Sequence, residues 1–345
     1  MRSYLYNIIT GSPKEPIGFL IRWLFLLLSL LYLAGIRLRG IFFKTGLLKS
    51  YRLKASVISI GNITWGGTGK TPLVEAICRY FSEHGRRVSL LTRGYGEDEN
   101  RVLSENMDKV SVLAGGDRVK NALKKETESD VGLFVLDDGF QHAKIKRDLD
   151  IVTINATDPF GTGFVIPGGI LREPISSLKR ADIAVITKTN LVTKEEADIV
   201  KNKVLKVNPD MDIFESIHQP ILLYSNKSQE QPLGYIKGKN ICAVSALGDN
   251  GSFIKTLKNL GAHIGSEISY MDHHKYTAAD LSAIFDSCAK NQIDTLVTTE
   301  KDWVKLKKLI AGPSADNIEI LILKIKLRIS NEEDFFGRLS SCISG

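Results

Sequence analysis

A glycine-rich block between a short apolar segment and a helical one constrains this chain more than any other feature. Residues 56–60 read SVISI and are followed by Gly61, a pattern that predicts a buried strand. Residues 64–71 then read TWGGTGKT, which is the Walker A form with Thr64 in place of the first glycine. We predict that this block binds a nucleoside triphosphate through Thr64, Trp65, Gly66, Gly67, Thr68, Gly69, Lys70 and Thr71.

The residue types in the block suit that chemistry. Glycines let backbone N–H groups close around phosphate oxygens, and Lys70 is expected to reach the β- and γ-phosphates. The Thr71 hydroxyl is expected to ligate Mg²⁺. Pro72 suits a first helical turn, and apolar residues at helical spacing predict a helix from Pro72 to about His84, with Gly85 at its end.

A second apolar segment ends in two acidic residues. Residues 131–136 read VGLFVL and are followed by Asp137 and Asp138. A strand that ends in aspartate after a Walker A block is typical of Walker B, in which the carboxylate lies beside the metal. Adjacent strand residues point to opposite faces, so either aspartate can be the ligand.

Alternating strands and helices predict an α/β fold of the P-loop NTPase type, a largely parallel sheet covered by helices. A segment rich in proline and glycine, residues 220–240, predicts a loop before a smaller C-terminal α/β subdomain, and the end of the chain after Asn331 gives no clear pattern. Residues 187–190 (TKTN) lack both the leading Asn and the Asp of the guanine motif N-K-x-D, so GTP specificity has no support. Further strands are predicted at residues 88–92, 111–113, 151–154, 183–187, 241–245, 293–298 and 318–323, and further helices at 119–125, 194–204, 251–260 and 277–290.

The longest apolar run, residues 17–36, lies near the N-terminus and contains one charge, Arg22. Twenty helical residues span about 30 Å, enough to cross the core of a bilayer. A secretory signal is disfavoured because the run starts late, is interrupted by Arg22 and is followed by no A-x-A site. We expect residues 1–54 to form a membrane-associated segment, either peripheral and monotopic or single-pass.

The position of the net charge supports this expectation. The chain carries +7, but residues 1–54 hold nine basic groups and one acid, a net charge of +8, which leaves −1 for the remainder. Basic residues after the apolar run place the rest of the chain on the cytoplasmic face. The expected partner is therefore an anionic membrane surface and not nucleic acid, and nothing points to an obligate protein partner. Four separated cysteines favour a reducing compartment.

Several further motifs together resemble the tetraacyldisaccharide 4'-kinase (lipid A 4'-kinase) family of Gram-negative bacteria. The resemblance runs from the apolar helix to about Leu306, nearly the whole chain. It implies that the γ-phosphate of ATP is transferred to the 4'-hydroxyl of tetraacyldisaccharide 1-phosphate, an acylated glucosamine disaccharide lipid, with ATP and Mg²⁺ as cofactors. It also implies that the anionic surface to which the chain binds is the cytoplasmic face of the bacterial inner membrane. The motifs are GNITWGGTGKTP, LTRGYG, DDGFQH followed by RDLDI, G-x-LREP, SALGDN, MDHHKY and TTEKDWVKL.

The resemblance also implies roles for individual residues. The family's D-H motif gives His273, and its G-D-E-P motif matches residues 97–100 (EDEN) in degenerate form, which gives Asp98. Asp98, oriented by His273, is expected to accept the proton of the sugar hydroxyl, while Lys70 supports the transferring phosphate. Glu99 is expected near the metal with Thr71 and Asp137 or Asp138, Arg118 and Arg172 are expected to clamp phosphate or substrate, and His142 and His274 are interpreted as structural.

These expectations divide the chain into a membrane-associated segment (1–54), a P-loop kinase core (55–225) and a C-terminal α/β subdomain (226–345) that closes over the active site. The alternative function is a membrane-tethered P-loop ATPase or GTPase that switches a protein partner. A switch has no need for a base aimed at an acceptor hydroxyl, so the Asp98 and His273 pair favours the kinase.

Overall fold

The computed structural model describes residues 9, 16–94, 107, 109–272, 274–310 and 318–343. Its strands are β1 (Ser56–Gly61), β2 (Val88–Thr92), β3 (Ser111–Ala114), β4 (Leu133–Asp137), β5 (Leu149–Asn155), β6 (Ile183–Thr187), β7 (Asp212–Ser225), β8 (Glu230–Gln231), β9 (Asn240–Ser245), β10 (His263–Ser269), β11 (Thr295–Thr299) and β12 (Glu319–Ile329). Its helices are α1 (Pro16–Lys44), α2 (Lys70–Glu83), α3 (Arg118–Glu128), α4 (Lys194–Val207), α5 (Asn250–Asn259), α6 (Ala278–Lys290), α7 (Glu300–Leu306) and α8 (Glu332–Cys342).

The described residues form two compact units, residues 1–216 with 329–345 and residues 217–328. The boundaries after residues 54 and 225, which the composition of the sequence predicts, stay predictions.

The first unit is built on a parallel sheet with the strand order β7-β6-β5-β1-β4-β2-β3, in which β7 contributes its first residues. Strands β2, β5 and β6 are buried along their whole length, as expected for parallel strands covered on both faces. Strand β1 lies between β4 and β5, and the chain adds strands to one side of β1 first and to the other side afterwards. The carboxyl end of β1 is therefore the point at which the strand order reverses. Ligands of open α/β sheets bind beyond the carboxyl ends of the strands at such a point.

Helix α1 differs from the other helices of this unit in composition and exposure. It is the one helix among the described residues that is long and apolar enough to cross a membrane, and only 11% of its most apolar window is buried. Leu20, Trp23 and Leu31 are largely exposed, while Tyr32 and Leu33 pack against a buried cluster around Val165. One side of α1 therefore packs on the unit, and the other presents an apolar surface.

The second unit has its own sheet and core. Its strands follow the order β10-β9-β11-β12-β7, with β8 paired antiparallel to the last part of β7. Helices α5 and α6 contribute Leu257 and Ile284 to two separate apolar clusters. Side-chain caps fix the helix starts, because Asp249 accepts from Ser252 N–H and Thr277 forms a capping box with Asp280.

The predicted fold class is confirmed, two local expectations are corrected, and one helix was missed. The helix after the glycine-rich block starts at Lys70 and not at Pro72, so that Pro72 occupies the third helical position. The segment 220–240 was expected to be a loop, but β7 continues to Ser225 and β8 follows. A proline is tolerated in a strand where its missing N–H points away from the neighbouring strand. The end of the chain forms α8, which buries Phe335 and Phe336.

Candidate functional site

The glycine-rich block joins β1 to α2 at the carboxyl end of the parallel sheet. Gly66 has φ +116° and Gly69 has φ +81°, left-handed values that residues with a Cβ rarely adopt. Gly69 is the N-cap of α2, so the free N–H groups of the first turn of α2 follow directly. A helix N-terminus of this kind, preceded by a glycine loop, suits phosphate binding.

Buried polar side chains hold the block in shape. Thr68 Oγ1 lies 2.7 Å from Thr153 Oγ1 and accepts a hydrogen bond from Asn62 Nδ2 at 3.0 Å. The Thr187 hydroxyl donates to the carbonyl oxygen of Thr68 at 2.9 Å, and Lys188 Nζ donates to that of Gly67 at 2.8 Å. The block is therefore supported from β5 and from the end of β6.

Lys70, Asp138 and Arg172 meet at the start of α2. Lys70 Nζ lies 3.5 Å from Asp138 Oδ1, and Arg172 Nη1 lies 2.8 Å from both carboxylate oxygens of Asp138. Asp138 follows β4 with φ +48°, which turns the chain as it leaves the strand. We call these three side chains the charged triad.

Burial and charge oppose each other in the triad. Burial alone would raise the pKa of Asp138, but the positive charges of Lys70 and Arg172 outweigh it and lower the pKa below the usual range. Burial lowers the pKa of Lys70, against the opposing effect of Asp138. The carboxylate form of Asp138 is therefore favoured at neutral pH.

Asp137 lies in a different environment from Asp138. Its carboxylate accepts a hydrogen bond from Thr92 Oγ1 at 3.4 Å, and burial raises its pKa. Arg118 is buried and donates to the carbonyl oxygen of Asp137 at 2.6 Å. This contact gives Arg118 a structural role at the end of β4, and its predicted role in substrate binding stays a prediction.

Arg172 reaches Asp138 from a loop, residues 164–172, that also contacts the glycine-rich block. The Arg172 N–H donates to the carbonyl oxygen of Ile63 at 2.7 Å, and the Trp65 N–H donates to that of Ile170 at 2.6 Å. Thr64 and Leu171 form an isolated β-bridge. This 164–172 loop is therefore one side of the candidate nucleotide site, while the Trp65 side chain is 59% exposed.

The residues at the site fit a metal that arrives with the nucleotide. Among the described residues, no group of three or more His, Cys, Asp or Glu side chains could hold a metal alone. Mg²⁺ is usually bound through one or two carboxylates together with substrate phosphates. Thr71, exposed in the first turn of α2, and the Asp138 carboxylate offer donors of that kind.

Three predicted site residues, Asp98, Glu99 and His273, lie outside the described residues. Conversely, the predicted site did not include Lys188, Thr187, Thr153 or Asn62, which support the glycine-rich block. Lys188 belongs to the segment 187–190, which lacks the guanine motif. The feature of the sequence that indicates a role for Lys188 is its position directly after the apolar strand β6.

The chain is similar to known proteins over nearly its whole length. A model of the family described as tetraacyldisaccharide-1-P 4'-kinase matches residues 21–344. A tetraacyldisaccharide 4'-kinase of Halothermothrix orenii is 33% identical, over 97% of this chain and 96% of the relative. Another, of Syntrophus aciditrophicus, is 34% identical over 89% of each chain.

A solved structure is similar over nearly the same extent. LpxK from Aquifex aeolicus, crystallised in complex with ATP, is 28% identical to this chain. The superposition of the two structures has a TM-score of 0.66 and covers 94% of this chain and 99% of that one.

Proposed function

The chain belongs to the tetraacyldisaccharide-1-P 4'-kinase family, and on this premise we propose that it transfers the γ-phosphate of ATP to the 4'-hydroxyl of an acylated glucosamine disaccharide 1-phosphate. The observation that carries the proposal is the charged triad at the start of α2, next to a glycine-rich block with left-handed glycines. The relatives are kinases, so the alternative of a switch acting on a protein partner has no comparable support.

In the proposed reaction the sugar hydroxyl oxygen attacks the γ-phosphorus, the bond from that phosphorus to the bridging oxygen breaks, and ADP leaves. Lys70 neutralises charge on the phosphoryl oxygens. Mg²⁺ bound to the nucleotide would supply further charge neutralisation, held by Thr71 and by the Asp138 carboxylate. We favour Asp138 over Asp137 as the ligand because Asp138 is paired with Lys70 and keeps a lowered pKa.

The proton of the attacking hydroxyl needs an acceptor. We propose Asp98 for this role, oriented by His273, on the basis of the motifs in residues 97–100 and 272–273. The C-terminal subdomain would close the site when both substrates are bound. Asp98→Asn is expected to lower kcat far more than it weakens ATP binding.

We propose that α1 attaches the enzyme to the membrane as an interfacial helix on the cytoplasmic face. Leu26, Ser29 and Tyr32 contact residues 165–172 of the same unit, so only residues 16–25 precede these contacts within the helix. Ten helical residues span about 15 Å, half of the roughly 30 Å bilayer core. The exposed apolar side of α1 and the basic residues after it suit an anionic lipid surface.

A labelled-phosphate assay tests the proposed reaction. The protein is incubated with γ-labelled ATP, Mg²⁺ and tetraacyldisaccharide 1-phosphate in mixed micelles, and label is expected in the lipid fraction. Lys70→Ala should lower the transfer by about 10²-fold or more. Lys194→Ala, the same change at an exposed position of α4, is the matched control. Label released only as inorganic phosphate would overturn the kinase proposal.

A further inference from the structure

Ser29 is an unusual residue in α1 because it is polar and 3% exposed in a helix whose other side chains are mostly apolar and exposed. Its hydroxyl oxygen accepts a hydrogen bond from the Gly168 N–H at 2.8 Å. The same oxygen lies 2.8 Å from the carbonyl oxygens of Val165 and of Phe25, so its single proton is donated to one of them. Ser29 therefore ties the 164–172 loop to the middle of α1.

The close approach of α1 to this loop requires a glycine. A Cβ at Gly168 would lie 2.7 Å from Ser29 Oγ and 3.2 Å from the backbone Cα of Leu26, closer than a Cβ normally approaches other atoms. The position of Gly168 is thus matched to α1, and the contact is specific to the side of the helix that carries Ser29.

Tyr32, one turn further along α1, contacts the other end of the loop. Its hydroxyl donates to the carbonyl oxygen of Arg172 at 3.0 Å. The backbone N–H of Arg172 donates to the carbonyl oxygen of Ile63, which directly precedes the glycine-rich block. The backbone of Arg172 is therefore held between α1 and the nucleotide site, while its side chain holds Asp138.

We propose that Ser29 and Tyr32 are positioning residues for phosphoryl transfer, through which the membrane-associated helix α1 fixes the loop that places Arg172 on Asp138. This inference rests on the proposed kinase function and adds a second role to α1 besides attachment. A helix that served only as an anchor would need apolar exposed residues but no hydrogen bonds to the 164–172 loop.

Tyr32→Phe tests the inference because it removes only the hydroxyl. We expect kcat for lipid phosphorylation to fall by about threefold to tenfold, the usual value of one hydrogen bond, with no change in binding to vesicles of phosphatidylglycerol and phosphatidylcholine. Ser29→Ala should act in the same direction. Tyr80→Phe, the same chemical change in α2 where the ring stacks on Phe336, should leave kcat unchanged.

A double-mutant cycle separates positioning from a general structural effect. If Tyr32 acts through Arg172, Tyr32→Phe should cause little further loss of kcat in the Arg172→Lys background. Additive losses, or a normal kcat in both Tyr32→Phe and Ser29→Ala, would overturn the inference.

Amide hydrogen exchange gives a readout that does not depend on activity. Exchange at Gly168 and at neighbouring loop amides should rise in Tyr32→Phe and Ser29→Ala compared with Tyr80→Phe, and unchanged exchange would overturn the inference. A wild-type protein that phosphorylates no lipid would instead contradict the proposed function, so the two failures are distinguishable.

Discussion

Nη1 of Arg172 lies 2.8 Å from both carboxylate oxygens of Asp138, and Nζ of Lys70 lies 3.5 Å from Oδ1 of the same carboxylate. A single aspartate therefore joins the residue of the glycine-rich block that is expected to contact phosphate to a loop more than thirty residues further along the chain. Each of the first two predictions removes one part of this arrangement.

Arg172→Lys should lower kcat by about 10-fold to 100-fold, because hydrogen bonds to a charged group are among the stronger ones and lysine cannot reproduce the planar guanidinium. Steady-state kinetics with lipid and ATP varied separately measure the effect. Arg180→Lys is a matched control, since Arg180 pairs with Glu173 and stacks on Phe140 outside the charged triad. Equal losses in both variants would show that Arg172 has no specific role.

Asp138→Asn and Asp137→Asn should have different effects, although the two residues are adjacent. We expect the change at Asp138 to raise the Mg²⁺ concentration needed for half-maximal activity and to lower kcat by about 10²-fold, because the carboxylate that faces Lys70 is lost. The change at Asp137 should affect Mg²⁺ dependence less, since its carboxylate contacts Thr92. A Mg²⁺ titration of both variants checks the assignment, and the reverse order of effects would make Asp137 the ligand.

The strand and the helix that flank the candidate nucleotide site could be predicted from the sequence because their signal is local. A strand, a glycine-rich block and a helix follow one another within residues 56–83, and the spacing of Gly66, Gly69, Lys70 and Thr71 gives the Walker A form. The apolar composition of residues 17–36 likewise predicts the long helix α1.

Long-range contacts could not be predicted in the same way. The hydrogen bonds from Tyr32 to Arg172 and from Gly168 to Ser29 join residues 140 and 139 positions apart, and no local pattern encodes such a distance. The helix α8 was missed because its apolar face is too short to give a helical pattern in the sequence. In the structure, Phe335 packs on Phe214 and Phe336 stacks on Tyr80, both of which are distant in sequence.

His142 should make the stability of the protein depend on pH. Burial, together with Arg118 and Arg147, lowers the pKa of His142 from 6.5 to about 4. Between these values the unfolded chain takes up a proton at this residue and the folded chain does not, so the free energy of unfolding should fall as the pH is lowered from about 6.5 to about 4.

His142→Asn should reduce this slope, and denaturant unfolding at several pH values between about 7 and 4.5 measures it. His84→Asn, the same substitution at an exposed histidine, is the control and should keep the wild-type slope. A slope in His142→Asn equal to that of the wild type would show that other groups cause the pH dependence.

Gly61→Ala should destabilise the first unit strongly. A Cβ at this position, the last residue of β1, would lie 2.5 Å from Phe140 Cβ and 2.6 Å from Phe140 N, and neither atom can move without displacing the segment after Asp138. Overpacking of this kind usually costs about 1–3 kcal/mol. Thermal unfolding measures the loss, and Gly116→Ala is the control because a Cβ there meets no atom within 4 Å.

Since the segment that Gly61→Ala displaces also carries Asp138, the variant should lose kinase activity at temperatures where it is still folded. Full activity there would show that the segment after β4 tolerates displacement.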